Sequence, residues 1–274
     1  MLTQTNTKSV WDGPDRKFRI LRRLALESIS GLGAAFIAAP IIMMIDKAVV
    51  QKASGTFTIM ASLKETSLTL IKNPIKFIFK KEFMWIWFVY GSTYMTANSI
   101  DSLCKINHYN DVLPKLIGIT AVNMTASILK DRAFAYYYGQ KSSSRVGMIS
   151  MLIWMVRDVL TIAGGFVLPS KLSYLFQKTG LEDSTAKKIT QFTVPITSQI
   201  LLTPIHLMGY DHYNFPGRTL GQRVAYIKGI YPSTLGIRMM RMGTAYGIGG
   251  INNQSFRNSL ISRFEGKNWN TSYS

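Results

Sequence analysis

Long stretches without a charged residue are the feature that most restricts how this chain can fold. Residues 83–100 and 189–210 contain no Lys, Arg, Asp or Glu. A helix needs about 20 mostly apolar residues to cross the hydrocarbon core of a membrane. Residues 29–45 are also uncharged and contain Gly31, which permits close contact between helices. The three stretches therefore predict membrane-spanning helices.

Three weaker stretches complete a predicted set of six spans: residues 116–129, 146–170 and 231–256. The last two contain the charged residues Arg157, Asp158, Arg238 and Arg241. Charges inside a span are costly unless they pair or face a wet interior. The alternative for these stretches is a buried helix of a soluble protein. Six stretches in order, separated by charged segments, favour the membrane protein.

The chain is strongly basic, with 32 Lys and Arg against 14 Asp and Glu and a net charge of +18. Such an excess suits nucleic acid, anionic lipid or anionic solutes. A soluble nucleic-acid-binding domain would not contain long uncharged apolar stretches, so we expect no nucleic-acid partner. The mean hydropathy of +0.11 is moderate, as expected for helices that line a polar cavity.

Cofactor, metal and enzyme chemistry have no visible basis in the residues. The single cysteine, Cys104, cannot form a cysteine-based zinc site, and His108, His206 and His212 are too scattered to hold a metal. No phosphate-binding glycine loop or nucleophile–base constellation is present. We therefore predict no catalytic residue, no cofactor and no metal.

An internal repeat organises the predicted spans. A span, a basic amphipathic connection, a second span and an outer loop follow one another three times. The clearest connection, residues 46–82, predicts an amphipathic helix at the membrane surface, whereas 101–111 and 171–188 are predicted as loops. The predicted units are a polar N-terminal segment (1–19), three repeats (20–110, 111–188 and 189–260) and a polar tail (261–274).

This pattern resembles the mitochondrial carrier family, in which each odd span ends in Pro-x-acid-x-x-base. The positions that correspond to this motif are Pro40, Ser127, Arg132, Pro204, His206 and Gly209. The segment from Lys228 to Arg238 also resembles the family's entry into the last span. The resemblance implies an all-α membrane protein with six transmembrane helices in three two-helix repeats and short amphipathic surface helices. It places the protein in the mitochondrial inner membrane as a multi-pass protein.

The charges that form the family's two salt-bridge gates are missing from the aligned positions. Only Arg132 keeps its charge at the matrix-side motifs, so no acid–base pair is complete there. A shifted register aligns the pairs 46–47, 131–132 and 211–212 instead, but adjacent helical residues point about 100° apart and would make a different ring. Both gates are therefore predicted to be absent or rebuilt.

Two functions follow from these departures. The loss of the gates favours an accessory or structural subunit of a respiratory-chain or similar inner-membrane complex. The alternative is an atypical solute carrier that exchanges a small anionic metabolite. Arg157, Asp158, Arg238 and Arg241 would then bind the solute in a cavity, or would otherwise pair with neighbouring helices or reach the headgroups. The expected partners are the bilayer, an anionic lipid such as cardiolipin, subunits of a larger complex and a small anionic solute.

Overall fold

The computed structural model describes residues 14–140, 146–164, 168–178 and 180–265, and its regular secondary structure in these ranges is entirely helical. The prediction of an all-α protein is confirmed. The α-helices are α1 (Arg16–Ala53), α2 (Ile59–Lys72), α3 (Pro74–Ile78), α4 (Lys81–Ile106), α5 (Val112–Tyr138), α6 (Met148–Ile162), α7 (Leu168–Lys178), α8 (Asp183–Thr197), α9 (Gln199–Asn214), α10 (Leu220–Gly243) and α11 (Gly250–Glu265), with a π-helical turn at Thr244–Gly249 between the last two.

The longer helices close into a ring in chain order. Helix α1 packs along α4, α4 along α5, and α5 along α6. Helix α6 then contacts α9, α7 contacts α8, and α9 contacts α10. Helices α10 and α11 return to α1. The ring leaves an interior into which several helices direct polar side chains.

In the described part of the chain, two helices are long and apolar enough to cross a membrane, α1 and α5. The predicted arrangement of six spans in three repeats is therefore not confirmed. The other predicted spans are interrupted or diluted by polar residues. Residues 189–210, for example, are divided between α8 and α9 at Ser198.

The distribution of side chains is nevertheless that of a membrane protein. On α6, Arg157 and Asp158 are each only 5% exposed, whereas Val156 and Val159 are 55% and 51% exposed. Water-soluble proteins bury apolar side chains and leave charged ones outside. The reversed arrangement on α6 suits an outer face in contact with lipid and an inner face in contact with a polar interior.

The contact between α1 and α4 depends on small residues. A Cβ atom added to Gly31 would lie 2.7 Å from the backbone nitrogen of Met95. On the same helix Ala34 and Ala38 are fully buried. The indole nitrogen of Trp87 donates a hydrogen bond of 2.8 Å to the carbonyl oxygen of Leu32. The expectation that Gly31 permits close helix contact is confirmed.

The connection between α1 and α4 contains the expected helices. Thr58 caps α2 by accepting a hydrogen bond from the Ala61 backbone N–H at 3.2 Å, and Pro74 begins α3. Large apolar side chains such as Ile71 and Ile75 are more than 70% exposed among several lysines. The helices are observed, and their location at a membrane surface stays a prediction.

The two predicted outer loops are shorter than expected. Helix α4 continues to Ile106, and most of residues 171–188 belong to α7 and α8. Those two helices meet near Gly180, whose φ of 93° is a left-handed conformation that glycine adopts without strain. The prediction of loops was wrong because a helix does not have to end where its apolar stretch ends. The division into three repeats stays a prediction.

Helices in the second half of the ring are interrupted close to one another. Helix α6 passes into a π-helical turn at Ala163 and Gly164, and α8 and α9 are separated at Ser198. A Cβ atom on Gly164 would lie 3.4 Å from that of Ser198, and one on Gly247 would lie 3.7 Å from the Phe192 ring. We call this region the interrupted layer (Gly164, Ser198 and Gly247). Helices α1, α4 and α5 continue past without a break.

Candidate functional site

A cavity of about 330 Å³ lies inside the ring. Its walls come from α4, α5, α6, α10, α11 and the π-helical turn. A volume near the lower end of the usual range for ligand sites suits a small metabolite. The charged residues of the wall are Asp101, Lys115, Lys130, Arg157, Asp158, Arg238, Arg241 and Arg257.

One group of ion pairs, the central charge cluster, joins four helices of the ring. Its members are Asp46, Lys130, Asp131, Arg157, Asp158 and Arg241. Lys130 Nζ lies 2.7 Å from a carboxylate oxygen of Asp46 and 2.7 Å from one of Asp131. Arg241 Nε lies 2.5 Å from Asp46, and Arg157 Nη2 lies 2.6 Å from Asp131. The cluster therefore ties α1, α5, α6 and α10 together beside the cavity.

Helix α9 supports this cluster with neutral groups. His206 Nδ1 lies 2.7 Å from Arg157 Nη1, and Tyr210 donates a hydrogen bond of 3.1 Å to Asp131. An arginine side chain has only donors, so His206 accepts through Nδ1 and carries its proton on Nε2. His206 thus holds the guanidinium in place without adding a second positive charge.

The aligned base of the gate motif does not join the central charge cluster, whereas two acids of the shifted register, Asp46 and Asp131, do. Arg132, the aligned base, is exposed, whereas its neighbours Lys130 and Asp131 are buried. Asp46 from the shifted register also belongs to the central charge cluster. Each residue along a helix turns the side chain by about 100°, so a displacement of one or two positions decides which charge faces inward.

The other residues of that motif have different surroundings. Ser127 lines the cavity, and its hydroxyl lies 3.4 Å from Asn123 Oδ1. Pro40 and Pro204 lie inside α1 and α9. Gly209 packs so closely on Trp154 that a Cβ atom there would overlap the indole ring. None of these four contributes a charge to the cavity.

A second group of ion pairs, the terminal charge cluster, lies towards the other end of the ring. Its members are Arg23, Glu27, Asp101, Lys115 and Arg257. Arg257 pairs with Asp101, and its Nε lies 2.7 Å from Glu27. Arg23 Nε lies 2.9 Å from Glu27, and Lys115 Nζ lies 2.6 Å from Asp101.

The two clusters are well separated along the cavity. Lys115 and Lys130 are 15 positions apart on α5, which corresponds to about 22 Å at the helical rise. The cavity therefore lies between the central charge cluster and the terminal charge cluster. The terminal charge cluster was not predictable from the sequence because its members flank the apolar stretches. The only sequence signal was the presence of acids, such as Glu27, in otherwise basic segments.

Arg238 differs from the other arginines of the cavity because no described carboxylate pairs with it. The residue is only 3% exposed. Its Nη2 donates a hydrogen bond of 2.9 Å to Gln199 Oε1, and its Nε has no hydrogen-bond partner among the described residues. A buried charge without a counter-ion is costly. A bound anion would therefore be stabilised at Arg238, because it would supply the counter-ion that this buried guanidinium lacks among the described residues.

Asp158 offers the complementary group. Its Oδ1 lies 2.8 Å from Arg157 Nη2, but its buried Oδ2 accepts no hydrogen bond from any described residue. The four predicted cavity residues thus all line the cavity, but their surroundings differ. Arg157 and Arg241 are paired with carboxylates. Arg238 has no carboxylate partner among the described residues, and Asp158 Oδ2 accepts no hydrogen bond from them.

The third pair of the shifted register lies outside this site. Asp211 accepts hydrogen bonds from Arg218 at 2.5 Å and from Arg223 at 2.7 Å. These ion pairs stabilise the connection between α9 and α10. Burial lowers the pKa of His212 below its ordinary value, and the charge of Arg223 lowers that pKa further. Asp211 therefore stabilises a connection, and neither Asp211 nor His212 belongs to the central charge cluster.

Residues 30–261 match a family model described as a probable citrulline exporter. The chain belongs to the probable citrulline exporter family. The match covers the cavity wall and the central charge cluster. No curated protein matches the chain.

Membership in the exporter family corrects the resemblance to mitochondrial carriers. The matching model is not that of a carrier family. The resemblance rested on alternating apolar and amphipathic segments, which many helical transport proteins share. The motif residues that would have distinguished the families were the ones this chain lacks.

Proposed function

We propose that this protein exports a small carboxylate-bearing metabolite across a membrane and that citrulline is the solute to test first. The family is described as a probable citrulline exporter. The observation that carries the proposal is Arg238, a buried guanidinium in the cavity wall without a carboxylate partner among the described residues. A solute carboxylate would supply the missing counter-ion through charge-assisted hydrogen bonds.

The two charge clusters provide a way to open the cavity from one side at a time. Solute that passes one end must separate ion pairs such as Arg257–Glu27, and solute that passes the other must separate pairs such as Lys130–Asp46. Export requires two such states of similar free energy, between which a bound solute shifts the population. Charged side chains with several partners suit this change between two states, because one ion pair can form as another breaks.

Membership in an exporter family supports a solute carrier better than an accessory subunit of a larger complex. We further propose the mitochondrial inner membrane as its location. The net charge of +18 supports attraction to an anionic bilayer, such as one that contains cardiolipin. Fractionation of cells that express a tagged chain would test the location, and recovery in another membrane would exclude it.

The transport proposal is tested with purified protein in liposomes that are loaded with L-citrulline. Outward movement of labelled citrulline should be saturable. The variant Arg238→Gln keeps a hydrogen-bonding side chain but removes the charge, so we expect transport to fall about 10-fold or more, as for loss of a charge-assisted contact. Arg263→Gln is the matched control, because Arg263 is exposed near the end of α11 and outside the cavity wall.

Two results would contradict the proposal. The first is an absence of citrulline movement above that of protein-free liposomes. The second is full activity of the Arg238→Gln variant, which would show that the unpaired guanidinium does not bind the solute.

A further inference from the structure

Helix α9 forms hydrogen bonds with two arginines of the cavity. Gln199 accepts a hydrogen bond from Arg238, and His206 accepts one from Arg157. The two α9 residues are seven positions apart, which places them on nearly the same side of the helix and about 10 Å apart along its axis. Arg238 and Arg157 thus contact α9 at two levels, two turns apart, and both line the cavity.

The two levels differ in the chemistry that they present. Arg238 offers unused donors, since its Nε has no partner in the described part of the chain. At the other level Arg157 is occupied by Asp131, Asp158 and His206. The buried groups without a described partner there are the acceptor Asp158 Oδ2 and the donor Arg157 Nε. Arg238 therefore suits a carboxylate, and Asp158 Oδ2 suits an N–H group.

We propose that Arg238 and Asp158 are the two ends of one binding site for α-amino acids whose side chains end in N–H groups. This inference rests on the proposed export function and assigns its solute class. Arg238 takes the α-carboxylate, and Asp158 Oδ2 accepts from a ureido, amide or guanidino group at the far end of the solute. An extended citrulline spans roughly 9 Å from its carboxylate to its terminal nitrogen, by ordinary bond lengths, which is comparable with the rise of about 10 Å between Gln199 and His206 on α9.

The charge of Asp158 has a consequence for selectivity. A carboxylate accepts hydrogen bonds from a neutral ureido group and from a cationic guanidinium. The hydrogen bond from the charged donor is the stronger of the two. A side chain of equal length without donors leaves Asp158 Oδ2 buried and unpaired. A site with unpaired polar groups rejects such an analogue. The wild-type protein should therefore prefer L-citrulline and L-arginine to L-2-aminoheptanoate, which has an apolar chain of similar length.

The inference is tested by competition in the citrulline liposome assay, with L-arginine, unlabelled L-citrulline and L-2-aminoheptanoate as competitors. For the wild type we expect 2-aminoheptanoate to require at least about 10-fold higher concentrations than the other two. Asp158→Asn keeps an acceptor oxygen and removes the charge. It should weaken inhibition by arginine about 10-fold and change inhibition by citrulline much less. Asp158→Leu removes the acceptor, so the three competitors should become nearly equal.

Loss of folding is separated from loss of recognition by a second measurement. The shift in Tm that each amino acid produces reports binding to the detergent-solubilised protein independently of transport. The Asp158→Asn variant should keep its shift with citrulline and should need about 10-fold more arginine for the same shift. Glu65→Gln is the matched control for an acid-to-amide change, since Glu65 is half-exposed and pairs with Lys47 away from the cavity wall.

The outcomes distinguish this inference from the function on which it rests. If the wild type moves citrulline but Asp158→Leu keeps the preference for citrulline over 2-aminoheptanoate, the two-ended site is wrong and the export function stands. Unchanged inhibition by arginine in Asp158→Asn would also overturn the site. If the wild type neither moves citrulline nor is stabilised by it, both proposals fail.

Discussion

At the scale of single residues, the contact between α1 and α4 gives the sharpest expectation. A Cβ atom on Gly31 would lie 2.7 Å from the backbone of Met95, and a backbone cannot move aside as a flexible side chain can. Gly31→Ala should therefore force the two helices apart and lower the free energy of unfolding by about 1–3 kcal/mol, as overpacking does. Thermal unfolding in detergent, followed by tryptophan fluorescence, measures this change.

Gly229 provides the control for this substitution. It lies in α10 with no atom within 4 Å of an added Cβ. Alanine has a higher helix propensity than glycine, so Gly229→Ala should leave the Tm unchanged or raise it slightly. If both variants had the same Tm, the close approach at Gly31 would not contribute to stability.

Predictability from sequence differs sharply between packing residues and paired charges. The close helix contact at Gly31 was predictable because a small residue in an apolar stretch lets two helix backbones approach each other. The partners of Arg157 were not predictable, because Asp131 and His206 are 26 and 49 positions away. The inward direction of Asp131 instead of Arg132 depends on a rotation of about 100° per residue. No spacing rule within one segment fixes that rotation relative to the other helices.

At the scale of helices, the interrupted layer divides the ring into two halves. Helices α1, α4 and α5 run past this level, whereas α6, α8 and α10 each end at it. Short π-helical turns are often found at functional sites, and the turn at Thr244–Gly249 contributes Ala245 and Tyr246 to the cavity wall. The continuous half is therefore suited to remain fixed while the divided half bends.

Stiffening the π-helical turn should slow transport more than it changes binding. An alanine at Gly247 fits, since its Cβ would make an ordinary contact of 3.7 Å with Phe192. Alanine favours the regular helix by about 1 kcal/mol over glycine. We expect Gly247→Ala to lower the maximal rate of citrulline export several-fold with little change in half-saturation. Gly236→Ala, on the same chain segment and without close neighbours, should export at the wild-type rate.

An equal rate for the two glycine variants would show that the turn does not bend during transport. A lower Tm of the Gly247→Ala variant would instead show that the substitution acts by disturbing packing.

Sequence patterns identified most of the helices but not the interrupted layer. Helix propensity and hydropathy do not distinguish a continuous helix from two coaxial ones, and Ser198 is an ordinary polar residue in an uncharged stretch.

At the scale of the whole molecule, the arrangement of charge predicts how the protein is held in its membrane. Large apolar side chains cover the outer face, and among the described residues many charged ones are buried. Extraction with alkaline carbonate removes proteins that are held at the surface by charge. This chain should remain in the membrane pellet under that treatment, because lipid contact with apolar helices does not depend on ion pairs. Release into the supernatant, with a marker membrane protein retained, would refute the membrane-embedded arrangement.

Arg238 has an electrical consequence for the protein as a whole. A guanidinium without a described counter-ion leaves one elementary charge in the interior, and a solute with no net charge does not remove it. Moving one charge across a full membrane potential of 100 mV requires about 2.3 kcal/mol. Any rearrangement that shifts Arg238 along the membrane normal therefore performs work against the voltage. In the proposed export cycle, the membrane voltage would therefore bias which face the empty and the loaded protein open.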